Sequence, residues 1–137
     1  MMPGWFGIKK SNAEFVERAY TLPTYLAWPG ASADSQGKPA GVLLAIRHFP
    51  KSAEVYLMAV DPAFHRRGVG RALLRSLEAD LTADGVEFLQ VKTLGPSFPD
   101  AGYAKTRAFY ASVGFRPLEE IHGLWPTIPS LLLVKTL

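Results

Sequence analysis

The 137-residue sequence contains no cysteine. That absence excludes disulfides, a thiolate nucleophile and thiolate metal ligation. Long apolar runs are missing too. No stretch approaches the roughly 18 apolar residues of a membrane-crossing helix, so none is expected. The start, Met1-Met2-Pro3-Gly4-Trp5, lacks a basic region followed by a long apolar run. No secretory signal is therefore expected, and the cytoplasm is the default location. Histidine is scarce: His48, His65 and His122 are far apart and share no ligand spacing, so no metal is expected. Basic excess is small as well. The net charge is only +3, whereas a whole-surface nucleic-acid binder shows a larger basic stripe. What remains is 48% apolar and 20% charged, an ordinary globular composition. The length fits one domain spanning residues 1–137.

The most informative stretch runs from Val60 to Leu74. The apolar run Val55 to Val60 reads as a strand, and Asp61-Pro62 stops it, since proline has no N–H for a ladder. From Val69 onward, Val69, Ala72, Leu73, Leu77 and Leu81 recur at helical spacing. Gly68 and Gly70 at the junction permit close backbone approach. Acids are favoured in a first helical turn, where they complement the macrodipole. Here Arg66, Arg67 and Arg71 crowd that end, and no acid occurs between Asp61 and Glu78. Free N–H groups among glycines and arginines suit a phosphate or diphosphate; the bland reading is a solvated basic corner. The stretch lacks the Lys-Ser/Thr ending of a P-loop, and Leu73 stands where a dinucleotide fold wants a small residue.

Around this junction the chain reads in order. Ser11-Asn12-Ala13-Glu14 has the form of a capping box and predicts a helix ending near Tyr20. Leu22 to Trp28 suits a strand with an irregular entry at Pro23. Pro29 to Pro39 reads as a loop. Gly41 to Phe49 and Glu54 to Val60 follow as strands whose short link favours antiparallel pairing. The helix after the glycines reaches about Asp84, with Gly85 as its cap. Val86 to Leu94 should lie parallel to the strand before that helix, by a right-handed crossover. A second helix covers Tyr103 to Val113, and two closing strands cover Phe115 to Ile121 and Leu131 to Thr136.

His65-Arg66-Arg67-Gly68-Val69-Gly70 resembles the acyl-coenzyme A loop, Gln/Arg-x-x-Gly-x-Gly/Ala, of the GNAT N-acetyltransferase superfamily. His65 replaces the usual Gln or Arg. Tyr110-Ala111-Ser112-Val113-Gly114-Phe115 resembles the family's helix ending in Tyr-x-x-x-Gly-Phe. The element order resembles that fold over nearly the whole chain. The resemblance implies an α/β (α+β) class: a mixed, splayed central sheet with helices on both faces, here with a shortened N-terminal region. Acetyl-CoA would be the cosubstrate, lying where two strands splay apart.

Several roles follow from the resemblance. The loop residues His65, Arg66, Arg67, Gly68, Val69, Gly70 and Arg71 would hold the coenzyme diphosphate, and the backbone of Ala59 and Val60 its pantetheine arm. Tyr110 would be the general acid toward the departing thiolate, whose reference pKa is about 8.5; the other reading packs it as a core aromatic. A common asparagine at the start of the second helix is Tyr103 here. Glu54 stands where histone-acetylating relatives carry a general base, and by strict alternation it shares a face with Tyr56 and Met58. It could equally be a solvated glutamate. Asp100, Glu119, Glu120 and His122 are alternative bases or could recognise a cationic acceptor. The implied activity is acetyl transfer to a primary amine, small-molecule or peptide, by direct attack in a ternary complex. A non-catalytic acyl-CoA-binding sensor or interaction domain on the same scaffold is the alternative. The short N-terminal region, with Trp5, Phe6 and Trp125 as candidate exposed aromatics, points to a homodimer.

Overall fold

The computed structural model describes residues 6–15, 20–29 and 38–137. Seven strands form one sheet: β1 (Phe6–Phe15), β2 (Tyr20–Pro29), β3 (Gly41–Phe49), β4 (Ser52–Val60), β5 (Phe88–Leu94), β6 (Arg116–Ile121) and β7 (Ser130–Thr136). Their order across the sheet is β1-β2-β3-β4-β5-β7-β6. Two helices cover it, α1 (Val69–Ala83) between β4 and β5, and α2 (Ala101–Ser112) between β5 and β6. The β4–β5 pair is parallel and every other pair is antiparallel. This is the mixed α/β architecture expected from the element order.

The N-terminal helix expected from the capping-box pattern is corrected. Ser11 to Glu14 belong to β1, paired with β2 as Ser11↔Thr24 through Glu14↔Thr21. A helix of that length is marginal without a packed face, whereas pairing with β2 satisfies the peptide groups of the segment that point into the sheet. No helix precedes β2 among the described residues, and α1 reaches β1 and β2 at that end of the sheet. Trp5 and most of the 29–39 loop lie outside them.

Both described helices lie on one face. The β4–α1–β5 and β5–α2–β6 crossovers run in the same direction across the sheet, and right-handedness puts them on the same side. The core agrees. Leu73, Leu74 and Leu77 of α1 pack with Tyr25, Leu43, Val55 and Leu89 of the sheet and with Tyr110 of α2. The Tyr25 hydroxyl donates to Asp80 Oδ2 at 2.6 Å and ties β2 to α1. Burial, together with the Asp80 carboxylate, raises the Tyr25 pKa. Asp100 caps α2 by accepting from the Tyr103 N–H at 3.0 Å, and Gly114 leaves it at φ +104°. No described helix is long and apolar enough to cross a membrane.

Gly41 sets how closely α1 approaches the sheet. A Cβ there would lie 2.8 Å from Val69 Cγ1 and 3.2 Å from Leu73 Cδ1. The start of α1 thus rests on bare backbone at the first residue of β3. Gly41→Ala should destabilise the fold by about 1–3 kcal/mol, as overpacking does. Thermal unfolding checks this; an unchanged midpoint would show that α1 can shift without cost.

Candidate active site

The site begins with one extra residue in β4. Leu44 pairs with Leu57, yet the next residue, Ala45, pairs with Val55. Tyr56 is left over as a β-bulge, which bends a strand and increases its twist. The β4–β5 ladder ends at the same level: it runs from Ser52↔Phe88 to Val55↔Val91 and no further. Past the bulge the two strands part. The gap is a cavity of about 360 Å³ lined by Val55 to Met58, Val91 to Leu94, Tyr103, Thr106, Tyr110, Trp125 and Ile128. Val55, Met58 and Val91 belong to the helix-bearing face, whereas Leu57, Lys92 and Leu94 belong to the other. The cavity therefore passes through the sheet. Leu57 to Val60 have no partner on their β5 side among the described residues. The backbone of Ala59 and Val60 lies in this segment.

Tyr110 stands on the helix side of the gap. It is 5% exposed and held edge-on between Phe109 and Phe115, with ring centroids 5.4 and 5.3 Å away. Its hydroxyl makes no hydrogen bond among the described residues. Burial pushes its pKa from 10.0 up to about 12. The ring is thus a core aromatic, and its neutral hydroxyl remains available at the wall.

The arginine-rich loop lies between β4 and α1. Pro62–Phe64 forms a short 3-10 turn capped by Asp61, whose Oδ1 accepts from the Ala63 N–H at 2.9 Å. Arg66 has φ +64° and Gly68, the N-cap of α1, φ +81°. The left-handed conformation is natural for glycine and costly for arginine. No side chain caps α1 and no acid lies in its first turn. Its initial N–H groups are left for an external acceptor. His65 Nε2 bonds the Val60 carbonyl at 2.9 Å, so the histidine closes the loop back onto β4. Arg67 stacks on Phe64, 5.6 Å from the ring centroid. Arg71 donates to Ser112 Oγ at 3.1 Å and links α1 to α2. Val69 is core. Gly70 is explained by packing: a Cβ there would meet Phe109 Cζ at 3.0 Å. These features give a diphosphate an uncapped helix start flanked by arginine.

Glu54 lies at the closed end of the gap, 7% exposed. Its Oε1 is 2.6 Å from His48 Nε2 and its Oε2 accepts from Lys92 Nζ at 3.1 Å. The bulge changes its expected neighbours: Glu54 shares a face with Leu57, while Met58, opposite Leu43, faces α1. Glu54 does not line the cavity; Lys92, in front of it, does. Neither His48 nor Lys92 was singled out in the sequence. The only hint was a lysine alternating with Gln90 inside an otherwise apolar strand.

The other candidate bases lie elsewhere. Asp100 is occupied as a helix cap. Glu120 accepts from the Ser97 N–H at 3.0 Å and from Ser97 Oγ at 2.8 Å, and these bonds hold its pKa low. His122 Nε2 lies 3.8 Å from Glu120 Oε1. Glu119 is exposed on β6. None of them lines the cavity. No group of three or more potential ligand side chains that could hold a metal occurs among the described residues.

The family model described as an acetyltransferase (GNAT) domain matches residues 30–117. N-alpha-acetyltransferase RimI of Mycobacterium tuberculosis is 42% identical over 77 residues, 56% of this chain and 43% of that protein. An uncharacterized Mycobacterium leprae protein is 37% identical over 93 residues, 67% of this chain and 23% of that protein. The chain thus spans less than half the length of these curated relatives. A GNAT family acetyltransferase from Elizabethkingia anophelis, solved with acetyl-CoA bound, superposes with a TM-score of 0.74 at 15% identity, covering 97% of this chain and 99% of that one. The ribosomal-protein-S18-alanine N-acetyltransferase of Escherichia coli gives 0.67 at 20% identity, covering 95% and 94%. With the family model matching well over half of its length, the chain belongs to the GNAT acetyltransferase family.

Proposed function

We propose that this protein is an N-acetyltransferase that moves the acetyl group of acetyl-CoA onto a primary amine by direct attack in a ternary complex. The observation that carries the reading is the unpartnered hydroxyl of the buried Tyr110 on the wall of a gap that passes through the sheet. The uncapped start of α1 with Arg66 and Arg67 suits the diphosphate, and the unpaired edge of β4 past Tyr56 suits the pantetheine arm. The amine nitrogen bonds to the thioester carbonyl carbon, the C–S bond breaks and its electron pair goes to sulfur. Tyr110 supplies the proton that sulfur takes, and the proton that the nitrogen sheds as the amide forms returns through solvent to the tyrosinate. With its pKa near 12 it is a neutral donor throughout the physiological range. The only charged side chain on the wall among the described residues is the Lys92 ammonium. A cation there disfavours an ammonium and favours the neutral, nucleophilic amine. Glu54 acts from behind, by positioning Lys92, rather than by touching the amine. The likeness to N-alpha-acetyltransferases supports an α-amine as acceptor.

Tyr110→Phe keeps the ring and removes the proton. Single-turnover acetyl transfer should slow by about 10²–10⁴-fold, while coenzyme affinity changes little. Equal rates at neutral and alkaline pH would leave Tyr110 as packing alone. In the loop, Arg66→Glu turns an attractive charge into a repulsive one. Calorimetry should show coenzyme A affinity reduced by about tenfold or more, the scale of a charged hydrogen bond; unchanged binding would remove the diphosphate from this loop. For Glu54→Gln, loss of a buried anion hydrogen-bonded to Lys92 and His48 should lower stability by about 1–3 kcal/mol in urea unfolding. Full stability together with lost turnover would instead favour Glu54 as the base.

A further inference from the structure

The gap is electrically one-sided. Of the residues that line it, only Lys92 carries a charge. It sits on the sheet face that bears neither α1 nor α2, opposite Tyr110. Lys92 Nζ gives one donor to Glu54 Oε2 at 3.1 Å and has no other polar partner among the described residues. An ammonium has three donors, so two remain. Glu54, lying behind, is shared with His48 Nε2 at 2.6 Å, so its charge is not spent on Lys92 alone. The pair thus presents its positive end to the cavity and keeps its negative end in the strand. Apolar walls strengthen that field at short range.

We infer that Lys92 is a specificity-determining residue that selects acceptors carrying a carboxylate a few bonds from the reacting amine. The inference rests on the transferase reading and narrows its acceptor. A carboxylate entering from the face opposite the two described helices would meet two unused N–H donors and no opposing acid among the described lining residues. An acceptor whose second charge is positive would meet only repulsion. Two sources share this chemistry: a free amino acid, and a peptide N-terminus followed by an acidic side chain.

The test uses matched acceptors with the full chain and saturating acetyl-CoA. One arm compares an amino acid with its amide. The other compares peptides differing only by Asp or Asn at the second position. In at least one arm the acid should be preferred in kcat/KM by about tenfold or more, the scale of one charged hydrogen bond; the arm that shows it identifies the source. Lys92→Arg should keep the preference, Lys92→Met should bring the ratio near one, and Lys92→Glu should invert it. Calorimetry of the matching N-acetylated acid and amide on the coenzyme A complex gives a second readout that needs no turnover. Tighter binding of the acid, lost in Lys92→Met, would support the inference even if no acceptor were acetylated, in which case the transferase reading alone would fail. Absence of any acid preference in the parent, or a preference that survives Lys92→Met, overturns it.

Discussion

One surplus residue in β4 governs the site. A sheet prefers to keep pairing, since every unpaired strand edge leaves N–H and C=O groups without partners. Here Tyr56 breaks the β3–β4 register, and the β4–β5 ladder ends at Val55↔Val91. The same bulge opens the gap, frees the β5-facing edge of Leu57 to Val60, and turns Leu57 away from the helices while Met58 faces them. With an unbroken ladder, Tyr110 would face a closed sheet, and Lys92 would lie on the far side of it.

The rest of the molecule holds that gap in place. Val69, Leu73 and Leu77 fix α1 on β3 and β4, with Gly41 allowing the closest approach. Gly70 lets Phe109 of α2 come against α1, and Arg71 bonds Ser112 beyond it. The start of α1 and the tyrosine of α2 are therefore packed as one unit. A ligand bridging the phosphate loop and the gap would use both ends of that unit at once. The other face carries Glu54, His48 and Lys92 instead. A buried carboxylate is costly to build even when paired, and its retention at the closed end of a cavity suits a role in orienting charge.

Much of this was legible beforehand, for identifiable reasons. The strand, turn and helix from Val55 to Leu81 were readable because apolar spacing, Asp61-Pro62 and two glycines agree with one another. Gly114 was readable because a helix end has its own chemistry, whereas Tyr110 stood out only by the resemblance of its stretch to the Tyr-x-x-x-Gly-Phe helix. The N-terminal helix was misread because Ser11 to Glu14 matches a capping pattern that pairing with β2 overrides. Glu54's neighbours were misread because alternation assumes an unbroken strand, and nothing in Glu54-Val55-Tyr56-Leu57 marks the bulge. Lys92 was missed because its importance depends on three residues distant in sequence, Glu54, His48 and Tyr110. Gly70 was assigned to the ligand alone, whereas its neighbour in the fold is Phe109.

The central claim is that the bulge-opened gap receives the donor thioester with its sulfur at Tyr110. A crystal structure with coenzyme A bound tests it most directly. The account predicts the pantetheine arm between β4 and β5, diphosphate at the start of α1, and the sulfur within hydrogen-bonding distance of Tyr110 Oη. A coenzyme bound outside the gap, or a sulfur remote from Tyr110 with the strands still parted, would contradict it.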